Sequence, residues 1–175
     1  MNDVLLLTGP PGTGKTTLIR EVLSRFNLSA GGFYTGEIKE EGTRTGFEIT
    51  TLDGASATLA HIDIKGPPRV GKYGVDLKGL EQVGIPAIYD AIKNRDLVII
   101  DEIGKMELFS ESFRKAVMEA VESGKPLLGT IMLKSHPWAD KLKELNGVEI
   151  ITVDKDNHED VRQWIASWIS SATYD

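Results

Sequence analysis

Two groups of residues in this 175-residue sequence have the types and spacing to act on a polyphosphate. The first is Gly9-Pro10-Pro11-Gly12-Thr13-Gly14-Lys15-Thr16, which fits G-x-x-x-x-G-K-[ST] at every defined position. Dense negative charge must be met by many donors at short range. Glycines let successive backbone N–H groups turn toward phosphates, and a helix beginning near Lys15 adds the positive end of its dipole. In that pattern the Lys15 ammonium meets the β- and γ-phosphates and the Thr16 hydroxyl ligates Mg²⁺, while Pro10 and Pro11 stiffen the loop. A glycine-rich turn that merely joined strand to helix would leave the lysine and threonine without a purpose. The second group is Asp101-Glu102, directly after the apolar run Leu97-Val98-Ile99-Ile100. Parallel α/β sheets bind ligands outside the carboxyl ends of their strands, so both groups point into one crevice. There Asp101 would hold the magnesium through water or through the Thr16 hydroxyl. Glu102 could orient and deprotonate an attacking water. An aspartate after an apolar strand also serves as a helix cap or turn former, and the upstream loop is what favours the functional role.

Phosphoryl transfer spreads negative charge over the γ-phosphate oxygens, so a second cation besides Lys15 usually raises the rate. The candidates are Arg44, Arg69, Lys72 and Lys105, with Arg69 and Lys105 favoured. Arg69 and Lys72 lie in a glycine-bearing loop that could close over a nucleotide, and Lys105 is nearest the chemistry in sequence. Each has the alternative of a solvated surface charge. Thr130 is either a contact to the γ-phosphate or its water, or a packed strand residue.

The elements that must position these groups follow from periodicity. Val4 to Thr8 has no polar alternation, as expected of a central parallel strand. Leu18, Ile19, Val22, Leu23 and Phe26 recur at helical spacing after the loop. Gly31 to Ile38 and Phe47 to Leu52 predict a β-hairpin around Glu40-Glu41-Gly42-Thr43-Arg44, and Ala57 to Ile64 adds an antiparallel strand. Arg69 to Gly74 is too glycine-rich for a regular element and reads as a loop. A helix of unclear start surrounds Pro86. Ser110 is a plausible N-cap and Gly124 a stop for a helix burying Phe113, Val117, Ala120 and Val121. Pro126 to Leu133 predicts a buried strand, Pro137 opens a short helix that ends by Gly147, and Val148 to Val153 forms another strand. In the last helix Val161, Trp164, Ile165, Trp168 and Ile169 form one stripe, expected to be core. Strands alternating with helices predict an α/β chain, one domain over residues 1–175, with a mainly parallel sheet and an antiparallel hairpin insertion.

Composition narrows the partners. The net charge of −6 and scattered basic residues argue against a nucleic-acid surface. The absence of cysteine excludes disulfides, thiolate metal sites and cysteine catalysis, and fits a reducing compartment. His61, His136 and His158 lack the paired spacing of a zinc site and read as surface or satisfied polar positions. Asp3 precedes an apolar run, Val4 to Leu7, too short for a signal peptide, and no stretch approaches the length of a membrane span. A cytoplasmic, monomeric protein is the expectation.

Four stretches, Gly32-Phe33-Tyr34-Thr35-Gly36-Glu37-Ile38, Arg44-Thr45-Gly46-Phe47, Arg69-Val70-Gly71-Lys72-Tyr73 and Asp101-Glu102-Ile103-Gly104-Lys105-Met106-Glu107, resemble the THEP1 family of nucleoside-triphosphatases. The resemblance runs from Gly9 to about Val153. It implies a magnesium-dependent hydrolase that converts ATP, GTP, CTP and UTP to diphosphates with broad base tolerance. It also implies a three-layer P-loop fold with a RecA/AAA-like strand arrangement of the glutamate-bearing class, in which a further strand, here Pro126 to Leu133, separates the two motif strands. The family's nucleotide-contacting segments map onto Gly9 to Thr16, with Thr17 adjoining, and onto Val98, Ile99, Ile100, Asp101, Glu102, Ile103, Gly104 and Lys105. Two other classes stay open. A kinase would need an acceptor pocket and usually an arginine-rich lid, and a nucleotide-dependent switch would use slow hydrolysis only to reset its state.

Overall fold

The computed structural model describes residues 3–174, and among these nine strands form one sheet in the order β5-β6-β4-β3-β2-β7-β8-β1-β9. Five strands run parallel in the order β2-β7-β8-β1-β9: β1 (Val4–Thr8), β2 (Ala30–Glu40), β7 (Leu97–Ile103), β8 (Leu127–Ile131) and β9 (Val148–Thr152). The remaining strands are β3 (Thr43–Thr51), β4 (Ser56–His61), β5 (Arg69–Val70) and β6 (Tyr73–Val75), joined antiparallel. The glycine-rich stretch expected as a loop is therefore two short strands. Their ladder pairs Arg69 with Gly74 and Val70 with Tyr73, and the glycines that weaken strand propensity sit in and beside a tight turn.

The apolar runs are buried on both faces because each face carries helices. Val4, Leu6, Val98, Ile100 and Leu127 pack in one cluster with residues of α3 (Ile85–Asn94) and α4 (Glu111–Glu122). Leu5, Leu7, Leu97, Ile99 and Leu128 pack in the other with α1 (Lys15–Leu23) and α6 (His158–Thr173). Alternate residues of one strand thus feed opposite cores, and the result is an α/β P-loop fold of three layers with a mixed sheet. In α6 the buried stripe is Val161, Ile165, Trp168 and Ile169, whereas Trp164 is 53% exposed. At 100° per residue Trp164 falls off the centre of that stripe, so the core assignment made from spacing does not hold for it.

The unclear helix start resolves at Asp76, whose carboxylate accepts N–H groups of Lys78 and Gly79. It caps α2 (Leu77–Gly79), which runs through a wider turn at Leu80–Gly84 into α3. The short α5 (Pro137–Lys143) begins with Pro137 in its first turn, and its cap is His136, whose Nδ1 accepts the Trp138 N–H.

Candidate functional site

The loop Gly9–Thr16 leaves β1 at the carboxyl end of the parallel strands and feeds directly into α1. Gly9, Gly12 and Gly14 all have positive φ, and a side chain at Gly9 would run into the Val153 carbonyl. Inside this turn the Lys15 Nζ donates to the carbonyls of Gly9 and Pro10, each at 2.9 Å, so the ammonium lies in the cradle itself. Thr13 Oγ1 donates to the Pro10 carbonyl at 2.9 Å and braces the same turn.

Strand order brings the second group alongside. β8 lies between β7 and β1, so Asp101 faces the loop across one intervening strand. Asp101 is buried at 3% exposure, and its two oxygens have separate donors. Thr16 Oγ1 donates to Oδ2 and Thr130 Oγ1 to Oδ1, both at 2.6 Å. Burial pushes the Asp101 carboxyl up, while these hydroxyls and the nearby Arg20 and Lys15 pull it back toward the ionised form. Glu102 is likewise raised by burial and then by the Asp101 charge, opposed by Lys15. Glu107 is pushed well above the ordinary carboxylate range by burial and then by Glu102.

The structure therefore brings together Lys15, Thr16, Asp101 and Glu102, and it adds Thr130 as a buttress of Asp101. Lys105 stands exposed in the turn just after β7. Arg69 is not brought to the crevice. It lies in β5, separated from β7 by β6, β4, β3 and β2, and its guanidinium donates to the carbonyls of Ile64 and Lys72 at 2.8 Å. Arg44 is also engaged away from the loop, donating to Tyr73 Oη and Glu37 Oε1 at 3.0 Å, and the Lys72 ammonium lies 5.5 Å from the Tyr73 ring centre.

Three residues escaped sequence reasoning. Arg20 sits 4.2 Å over the Tyr34 ring and acts on Asp101, and its spacing of four from Thr16 was the available signal, since it places both on one helix face. His158 is not a satisfied position: its Nε2 is buried without a hydrogen-bond partner, and its Cε1 lies 3.5 Å from where a Gly14 Cβ would stand. Glu107, buried at 2% exposure, stands beside Glu102. His61 does match the bland expectation, lying between Glu40 and Asp63 at 3.7 and 3.5 Å.

For a divalent cation the donors at hand are the Thr16 hydroxyl and the Asp101 carboxylate, both hard oxygen ligands. Among the described residues no group of three or more His, Cys, Asp or Glu could hold a metal. Magnesium does not need one, because it keeps several waters and takes its other ligands from substrate phosphates.

A family model described as NTPase matches residues 4–166. The nucleoside-triphosphatase THEP1 of Thermotoga maritima is 46% identical over 163 residues, covering 93% of each chain. This chain belongs to the THEP1 nucleoside-triphosphatase family. The human cancer-related nucleoside-triphosphatase is 38% identical over 184 residues, spanning 96% of this chain and 97% of that relative. THEP1 from Aquifex aeolicus superposes with a TM-score of 0.82 at 33% identity, covering 94% of this chain and 96% of the other.

Proposed function

We propose that this THEP1-family chain is a magnesium-dependent nucleoside-triphosphatase that releases the terminal phosphate of ATP, GTP, CTP and UTP. The observation that carries the reading is Thr16 Oγ1 on Asp101 Oδ2 at 2.6 Å, which ties the phosphate-binding loop to the acidic strand end in one crevice. The names of its relatives support hydrolysis. Backbone N–H groups of Gly9–Thr17 cradle the phosphates, and Lys15 leaves its carbonyl partners to meet the β- and γ-oxygens. Thr16 and Asp101 would hold Mg²⁺, which supplies charge neutralisation at the phosphates when bound. Glu102 takes the proton of the attacking water, the role expected of the glutamate-bearing class of P-loop enzymes. Of the second-cation candidates, Lys105 at the mouth of β7 keeps its place and Arg20 joins it. A single domain acting as a monomer, without nucleic acid, accords with the acidic charge of −6.

Acceptor-free phosphate release from each of the four triphosphates, with and without magnesium, tests this. The expected result is steady release with magnesium for more than one base and almost none without it. Diphosphate formed only when an acceptor is added, with the phosphoryl group on that acceptor and no free phosphate, would establish a kinase instead.

A further inference from the structure

Glu107 is a buried acid for which the reaction described above has no use. It lies in the short turn of helix Glu107–Phe109 that follows β7, and its side chain reaches back to Gly104, the residue directly after that strand. Its Oε2 accepts the Gly104 N–H at 3.1 Å, and its own backbone N–H also favours the charged form. The meeting point with Glu102 is Gly104. The position a Gly104 Cβ would take is 2.5 Å from Glu102 Oε1 and 2.8 Å from Glu107 Oε2. Two carboxyls therefore close on one small space at the exit of β7, and a side chain at Gly104 would push one or both of them aside.

We propose that Glu107 is a positioning residue for Glu102, locking the Gly104 turn from inside and standing against the Glu102 carboxyl so that it keeps one orientation in the crevice. The inference rests on the reading of Glu102 as the group that acts on water. A base on a strand end is free to swing unless a neighbour fills the space behind it, and small misplacements of a reacting group are expensive in rate. The burial that raises the Glu107 carboxyl fits this arrangement, because it disfavours a second buried charge beside Glu102.

The test compares wild type with Glu107→Leu, Glu107→Gln, Gly104→Ala and Glu102→Gln, measuring kcat, KM and ATP affinity for each. Glu107→Leu is expected to lower kcat by about 10–100-fold while ATP affinity stays within about threefold, as for loss of an interaction that serves the chemical step. Glu107→Gln restores most of the turnover, since its amide accepts the Gly104 N–H and can donate to Glu102. Gly104→Ala keeps Glu107 but fills the shared space, and it reproduces the kcat loss. Wild-type kcat in both Glu107→Leu and Gly104→Ala overturns the proposal. So does affinity that worsens in step with kcat, or a Gln variant no better than Leu, because a merely structural role predicts both. Should Glu107→Leu not fold, Gly104→Ala decides: full turnover there overturns the proposal. Full turnover in Glu102→Gln removes the base assignment and this inference with it. Loss in Glu102→Gln beside full turnover in Glu107→Leu and Gly104→Ala removes this inference alone.

Discussion

Asp101 is a carboxylate held from two sides by hydroxyls, and this arrangement decides how well it can serve a cation. Thr16 Oγ1 is a candidate metal ligand in its own right, so Thr130 Oγ1 is the donor whose only visible task is to orient Asp101. Groups that orient a metal-binding carboxylate are worth roughly 10–100-fold in metal affinity or activity. Thr130→Val, which keeps the shape and removes the donor, should therefore raise the magnesium concentration for half-maximal turnover by about tenfold and leave magnesium-free nucleotide binding unchanged. A magnesium titration of phosphate release measures it, and an unmoved midpoint contradicts the role. The sequence offered Thr130 two roles, phosphate contact or strand packing, and the structure shows a third. No spacing rule could have shown it, since its partner lies 29 residues away and the contact exists only because β7 and β8 are neighbours. The pair Lys15 and Asp101 was legible because each carries a local signature: the glycine-rich spacing for one, an acid ending an apolar run for the other.

Helix and strand boundaries were legible wherever one residue type does the stopping. Ser110 caps α4, its Oγ accepting the Phe113 N–H at 3.1 Å, and Gly124 follows the helix end at φ 71°. Ser110 is buried and also donates toward Glu81 at 3.0 Å, so it ties α4 to the segment before α3. Ser110→Ala should cost about 1–2 kcal/mol of stability by removing a helix cap, read as a lower denaturant midpoint with an unchanged m-value. A midpoint equal to wild type would show that water or Ser112 replaces the cap. The Asp76 start of α2 escaped notice because the acid stands in a glycine- and proline-rich stretch and its apolar follow-up is only partly periodic. β5 and β6 escaped for a related reason. Their pairing depends on a neighbour, β4, and on the Arg69 guanidinium clamping the Ile64 and Lys72 carbonyls, neither of which composition reveals. The same clamp explains why Arg69 is an element-building residue and not a cation for the crevice. Arg69→Ala is therefore expected to lower stability by roughly 0.5–1.5 kcal/mol, since water can take over the two exposed carbonyls, and to leave kcat per folded molecule within about twofold. Unfolding and turnover measured on one preparation separate the two effects, and a large fall in kcat at unchanged stability would return Arg69 to the chemistry.

At the scale of the whole molecule, function depends on a crevice whose two walls come from residues about ninety positions apart in the chain. The parallel order β2-β7-β8-β1-β9 places β8 between them, and only that one placement came from family resemblance, because local periodicity specifies elements but not their neighbours. β2 continues past its last β7 partner, Tyr34, and pairs with β3 as far as Glu40, so an antiparallel arm extends beyond the strand ends that hold Asp101. That arm holds Arg44 against Glu37 and Tyr73 and Arg69 against the Ile64 and Lys72 carbonyls, so these two arginines that looked available in the sequence are used to build it. Among the described residues no helix is long and apolar enough to cross a membrane. The proposed chemistry then rests on a compact set, a lysine, a threonine and two carboxylates, with Lys105 and Arg20 as the second-cation candidates. The most direct measurement of that claim is ATP affinity and steady-state phosphate release in Glu102→Gln beside wild type. Affinity within about threefold and turnover lowered by about 10²–10⁴-fold are predicted for loss of a general base. Undiminished turnover in well-folded Glu102→Gln, or affinity and turnover falling together, would contradict it.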